Sequence, residues 1–98
     1  MIEKEFEKRN IKSIKKMGEN ESLKKLSNKW IMESSLHEYS YHFRWLGVPI
    51  IQFPQDIVGL QEIIWKIKPE LIIETGIARG GSLIFSASML QLIGKGSV

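Results

Sequence analysis

The chain of 98 residues carries a net charge of +3, and its 43% hydrophobic and 26% charged residues are a balance typical of one soluble globular domain. No apolar run approaches the roughly 18–20 residues of a membrane span, and the charged N-terminal segment lacks the apolar core of a secretory signal. The absence of cysteine excludes disulfides and thiolate metal sites and is compatible with a cytoplasmic protein.

The positive charge is concentrated near the N-terminus. Residues 1–29 carry nine Lys and Arg against five Glu, whereas residues 30–98 carry five against six acids. Basic amphipathic segments can lie on anionic membranes or on nucleic acid. A solvated helix face explains these charges more simply, because acids alternate with the lysines and no arginine cluster is present. We therefore expect no nucleic-acid partner.

Two helices are predicted in this basic segment. Residues 3–17 are rich in helix formers, and Gly18 is a suitable C-terminal cap. Either Asn20 or Ser22 can cap a second helix. The apolar residues of that helix share one face: Leu23, Leu26 and Trp30.

Aromatic and polar side chains crowd residues 33–46, among them His37, Glu38 and His42. The two histidines are five residues apart, which does not match the i, i+4 pair of a helical zinc site, and we predict no metal site. Such residues more often pack at a domain border with their polar tips hydrogen-bonded. A wall facing substrate or cofactor is the alternative. We interpret residues 1–44 as a helical appendage and residues 45–98 as the start of an α/β domain.

Residues 47–54 are predicted to be extended, because Pro49 and Pro54 disfavour helix at the residues before them. A helix then begins at residues 54–56 and runs to about Ile67, where Pro69 enforces its end. Its apolar residues predict a buried stripe: Ile57, Leu60, Ile64 and Ile67.

A strand is predicted at residues 71–75, which begin with a continuous apolar run. Such a run is typical of a parallel strand covered by helices on both faces, and the helices before and after it can provide those covers. The predicted fold class is α/β, an incomplete Rossmann-like fold with N-terminal helices followed by a first strand–loop–helix unit.

The chemistry is concentrated in the glycine-rich loop at residues 74–82, which leads into an apolar helix. Gly76 lies where the chain must turn sharply, and glycine adopts the positive φ of such turns without strain. Gly80 and Gly81 allow backbone and ligand to approach closely. Ser82 stands at the start of a helix whose N–H groups form an electropositive site.

Spacing separates the ligands that such a loop could hold. A phosphate-binding P-loop needs a lysine before Ser82, and the chain has Gly81 there. A dinucleotide loop needs a middle glycine, which Ile77 and Ala78 replace. An E-x-G-x-x-x-G-x-S loop, as in adenosylmethionine-dependent methyltransferases, fits every position, and Glu74 suits a cationic ligand. The alternative is that the loop binds no ligand. Glu74 would then only cap a turn, and the glycines would only form a tight corner.

The run WLGVPIIQFPQDIVGLQEIIWKIKPELIIETGIARGGSLIFSASML strongly resembles the cephalosporin hydroxylase family, whose relatives include rhamnosyl O-methyltransferases. The resemblance implies a methyltransferase fold, S-adenosyl-L-methionine as cofactor and, in some members, a divalent metal such as magnesium. It also implies that the cofactor loop contains the following residues: Glu74, Gly76, Arg79, Gly80 and Ser82. The segment with Gln52, Pro54 and Asp56 matches as well, without an assigned role. Gly81 joins the candidate cofactor-binding residues from its place in the loop.

Members of that family are much longer, so we expect this chain to be the N-terminal part of such an enzyme. Its reaction would be O-methyl transfer to a small-molecule or glycan hydroxyl, with the acceptor and the catalytic base unknown. We expect the chain alone to be inactive and to bind the cofactor weakly or not at all, and the full-length form could be a homo-oligomer. The alternatives are a non-enzymatic remnant or interaction fragment and a nucleotide-dependent oxidoreductase fragment.

Overall fold

The computed structural model describes residues 2–98, which form two compact units that divide between His37 and Glu38. The first unit contains helices α1 (Ile2–Glu19) and α2 (Glu21–Ser35). The second begins with a 3-10 turn, Tyr39–Tyr41, and continues with strands β1 (Phe43–Trp45) and β2 (Val48–Ile50) and helices α3 (Pro54–Ile67) and α4 (Gly81–Ile93). The predicted domain boundary between residues 44 and 45 stays a prediction.

Both predicted N-terminal helices are confirmed, but Gly18 does not cap the first. Helix α1 continues through Gly18 to Glu19, and the N–H of Asn20 still donates to the Met17 carbonyl at 3.3 Å. The next helix begins at once, because the Asn20 side chain accepts a 3.0 Å hydrogen bond from the N–H of Leu23. Asn20 is therefore the N-cap of α2, which confirms one of the two predicted alternatives.

A β-hairpin occupies residues 43–50, of which the sequence predicted only residues 47–50 to be extended. Strands β1 and β2 pair antiparallel, with Phe43 opposite Ile50 and Trp45 opposite Val48. Leu46 and Gly47 form the two-residue turn, and both have positive φ, at 48° and 81°. Turns of this kind match the twist of paired strands.

Helix α3 has its predicted limits. Pro54 opens it, and Lys68 ends it in a left-handed conformation just before Pro69. The predicted apolar stripe is correct for Ile57, Leu60 and Ile64, which belong to the core cluster. It is wrong for Ile67, which is 65% exposed because the last turn of α3 extends past that cluster.

The predicted strand at residues 71–75 is reduced to one parallel bridge between Leu71 and Ser97. Ile72 donates to the Ser97 carbonyl at 2.9 Å, and Ser97 donates to the Glu70 carbonyl at 3.0 Å. A longer ladder needs a longer partner beside it, and residues 73–75 have none among residues 2–98. Ile72 packs on the core, but Ile73 is 80% exposed, so the prediction that both faces are covered is also wrong.

The core of the second unit lies where the hairpin, α3 and α4 meet. Phe85 of α4 is fully buried and contacts the Trp45 ring edge-on, with ring centroids 4.7 Å apart. The Trp45 indole N–H donates to the Ser88 hydroxyl at 2.9 Å, which fixes the indole on α4. Ile50 and Ile64 complete the centre of the cluster with Met89.

This arrangement of helices with one small antiparallel sheet is compatible with part of an α/β protein. In the part of the chain that the structure describes, no helix is long and apolar enough to cross a membrane.

Candidate functional site

The loop at residues 74–82 connects the bridged segment to the N-terminus of α4. Gly76 and Gly80 have φ values of 82° and 88°, so both glycines stand where a side chain would strain the backbone. Ala78 also has a positive φ, 44°, which is uncommon for a residue with a Cβ. The N–H of Gly80 closes the turn by donating to the Ile77 carbonyl at 2.6 Å.

Gly81 has a different role, because it brings α4 against the hairpin. A Cβ on this residue would lie 2.1 Å from the Pro49 carbonyl oxygen and 2.6 Å from the Ile50 Cα. Real Cβ atoms do not approach backbone so closely, so only glycine permits this contact. The close approach sets the start of α4 directly beside the end of β2.

The Glu74 carboxylate is half-buried at the mouth of the loop. One of its oxygens, Oε1, accepts a hydrogen bond from the Ser82 hydroxyl in the first turn of α4. The other, Oε2, is buried and has no hydrogen-bond partner. No ion pair reaches Glu74 from any residue between 2 and 98. A buried carboxylate oxygen without a partner is costly and would be stabilised by a cation or an N–H donor.

A second buried acceptor belongs to a residue on the hairpin side of the same region. Gln52 follows β2, and its side-chain oxygen Oε1 is buried without a partner. Gln52 lies in the segment that matches the resembled family, but it had no predicted role. Its local signal is its position as a polar residue within an apolar run, between Ile51 and Phe53.

These groups line one pocket of about 320 Å³. Its wall combines the end of the hairpin, the glycine loop and the first turn of α4, as follows: Pro49, Ile51, Gln52, Glu74, Gly76, Ile77, Ala78, Arg79, Gly81 and Ser82. Five of the six predicted cofactor-binding residues therefore come together. The sixth, Gly80, stands at the N-cap of α4 without lining the pocket.

A larger groove of about 550 Å³ runs along α4 to residues 94–98. Lys95 is its only charged side chain, and neither of the two unpartnered buried oxygens lies in it. We therefore take the smaller pocket as the candidate site.

The residues considered for metal binding lie elsewhere. The His42 ring packs edge-on against Tyr39 with centroids 6.0 Å apart, and neither His37, Glu38 nor His42 lines the pocket. Asp56, which had no predicted role, is exposed in the first turn of α3 and does not line the pocket either. Within residues 2–98, no group of three or more potential metal ligands comes together.

Comparison with known proteins gives one family. Residues 37–98, more than half of the chain, match the family model described as Rhamnosyl O-methyltransferase/CmcI. A stretch of 51 residues, 52% of this chain, is 35% identical to the Rhamnosyl O-methyltransferase of Mycobacterium leprae (strain TN). That stretch spans only 22% of the length of this curated relative. No solved structure gives a significant match.

Proposed function

We propose that this chain, which belongs to the Rhamnosyl O-methyltransferase/CmcI family, holds the methionine end of S-adenosylmethionine in the pocket around Glu74. The observation that carries the proposal is the buried, unpartnered Oε2 of Glu74. The ligand's ammonium and sulfonium are both cationic, and the ammonium can donate to this oxygen. A phosphate ligand would instead be repelled by the carboxylate.

The two walls of the pocket suit the two polar groups of a methionine end. On one side, Glu74 and Gln52 offer two buried acceptors for an ammonium. On the other, the first turn of α4 presents N–H groups without partners in the helix, which suit a carboxylate. The hydroxyl of Ser82, in the first turn of α4, donates to the Glu74 carboxylate and so connects the two walls.

The chain's own residues would thus bind and orient the methyl donor. When bound, S-adenosylmethionine supplies an electrophilic methyl group, and transfer to a hydroxyl oxygen needs the donor held in line with the acceptor. We assign no residue as the base that would take the hydroxyl proton. The described residues do not fit a magnesium site, so we propose no reaction step that involves a metal.

For the longer protein we propose a Rossmann-like methyltransferase domain that methylates a hydroxyl of a small molecule or glycan in the cytoplasm. The parallel bridge between Leu71 and Ser97 supports the fold, because a helix between two parallel strands is the βαβ unit of such domains. The family match favours this activity over a nucleotide-dependent oxidoreductase.

An NMR titration of the 98-residue chain with S-adenosylmethionine tests the proposal. Amide shifts should be confined to Gln52 and residues 76–83, with a Kd of about 0.1–1 mM, equivalent to roughly −4 to −5.5 kcal/mol. Weak binding is expected because the pocket is small and open on its exposed loop side. ATP serves as the control ligand and should leave these amides unshifted.

Two outcomes would count against the proposal. Shifts centred on the groove at residues 94–98 would show that the ligand binds there instead, and stronger shifts with ATP would favour a phosphate ligand. A Kd in the low micromolar range would contradict only the expectation that this chain alone binds weakly.

A further inference from the structure

The cationic side chains of α1 all lie on one side of the helix. At about 100° per residue, six cations fall within one half of its circumference, together with Glu5 and Glu19: Lys4, Lys8, Arg9, Lys12, Lys15 and Lys16. The opposite half holds the large apolar residues, together with Glu3 and Glu7: Phe6, Ile11, Ile14 and Met17. Helices with one cationic and one apolar side are typical of segments that lie in a membrane interface.

The apolar side of α1 is uncovered in this structure. Phe6 is 54% exposed, Ile14 is 68% exposed and Met17 is 61% exposed. No side chain of residues 3–19 is buried.

We propose that α1 docks on an anionic lipid bilayer and lies along its surface with the apolar side toward the acyl chains. The charge complementarity comes from the six cations, which outnumber the acids on their side and can reach anionic headgroups by extending their long side chains. Glu3 and Glu7 keep the helix shallow, because their carboxylates must stay at the headgroup level.

Two other occupants fit less well. A nucleic acid would engage only the cations and would leave Phe6, Ile14 and Met17 in water. A second copy of α1 would cover those residues but would bring Glu3 and Glu7 of both copies into the contact, where like charges repel.

Co-sedimentation of the 98-residue chain with lipid vesicles tests the proposal. Vesicles with about 30% phosphatidylglycerol in phosphatidylcholine should bind at least roughly tenfold more strongly than vesicles of phosphatidylcholine alone. Raising the salt from about 0.1 to 0.5 M should weaken the binding, because it screens the headgroup attraction.

Matched variants locate the contact on α1. The double variant Lys8→Gln/Lys12→Gln should lose roughly 10- to 25-fold in partitioning, about three- to fivefold per cation. Lys66→Gln/Lys95→Gln removes the same amount of charge from exposed sites of the second unit. This control should change the partitioning onto vesicles less than about twofold. Phe6→Ser/Ile14→Ser should lose binding with the charge intact, whereas Val58→Ser, at an exposed site in α3, should not.

Several results would overturn the proposal. These are equal binding to neutral vesicles, equal losses in the two lysine double variants, and normal binding by Phe6→Ser/Ile14→Ser. Light scattering that shows a dimer lost in Phe6→Ser/Ile14→Ser would identify a second copy as the occupant. Oligonucleotide binding as tight as vesicle binding, and unchanged in Phe6→Ser/Ile14→Ser, would identify nucleic acid.

Discussion

The two units differ in what holds their structure. Among residues 2–37 the helices form from local signals, and the described side chains of this unit include no buried one. Residues 38–98 instead bury a continuous cluster, with Phe85 and Ile50 at its centre, and they contain the candidate pocket. The family match covers this second unit and begins at residue 37. Long-range packing therefore coincides with the part that relatives share.

Truncation of a large apolar side chain should have the most different effects on stability in the two units. Phe85→Ala should destabilise the second unit by about 3–5 kcal/mol, because Phe85 is fully buried and its ring contacts Trp45. Phe6→Ala, the same change on exposed α1, should cost less than about 0.5 kcal/mol. Urea unfolding followed by circular dichroism measures both. Equal losses would show that the first unit depends on packing as well.

A pair of glycines tests the close approach between α4 and the hairpin. Gly81→Ala should cost about 1–3 kcal/mol or more, since its Cβ would meet the Pro49 carbonyl oxygen at 2.1 Å. Gly59→Ala, inside α3 with no atom within 4 Å of a new Cβ, should stabilise by about 0.5–1 kcal/mol. Thermal melts read out both changes. If Gly81→Ala were also stabilising, the close contact would be wrong.

The smallest effect is expected at the turn between the first two helices. Asn20→Ala should cost α2 about 1 kcal/mol, because the Asn20 side chain caps the N–H of Leu23. Amide exchange at Leu23 should then quicken roughly fivefold while the second unit is unaffected. Asn10→Ala, in the middle of α1, removes no cap and should leave this exchange unchanged. A cooperative change throughout the second unit would show that the two units are coupled.

The helices could be predicted from the sequence because their signals are local. Pro54 and Pro69 frame α3, and Asn20 caps α2. The hairpin was missed because its strands have three residues each, too short for a visible alternation, and its turn is Leu46-Gly47 in place of the common Asn-Gly.

Features that depend on distant residues were harder to predict. The apolar run at residues 71–75 indicates a strand, but a ladder forms only where a partner lies beside it, and only Leu71 has one among the described residues. The predicted loop residues Glu74 and Ser82 do meet, since both lie close in sequence. The burial of the Gln52 oxygen depends on tertiary packing, which the position of this polar residue between two apolar ones does not determine.

Recognition of a cationic ligand by the Glu74 carboxylate can be tested by comparing the affinities of three variants. We would measure the Kd of S-adenosylmethionine by NMR for the unmodified chain, Glu74→Gln and the control Glu62→Gln, whose site on α3 is exposed. Glu74→Gln should weaken binding at least about tenfold, as expected for loss of a charged hydrogen-bond acceptor, and Glu62→Gln should not. Equal affinity in the unmodified chain and Glu74→Gln would contradict the account.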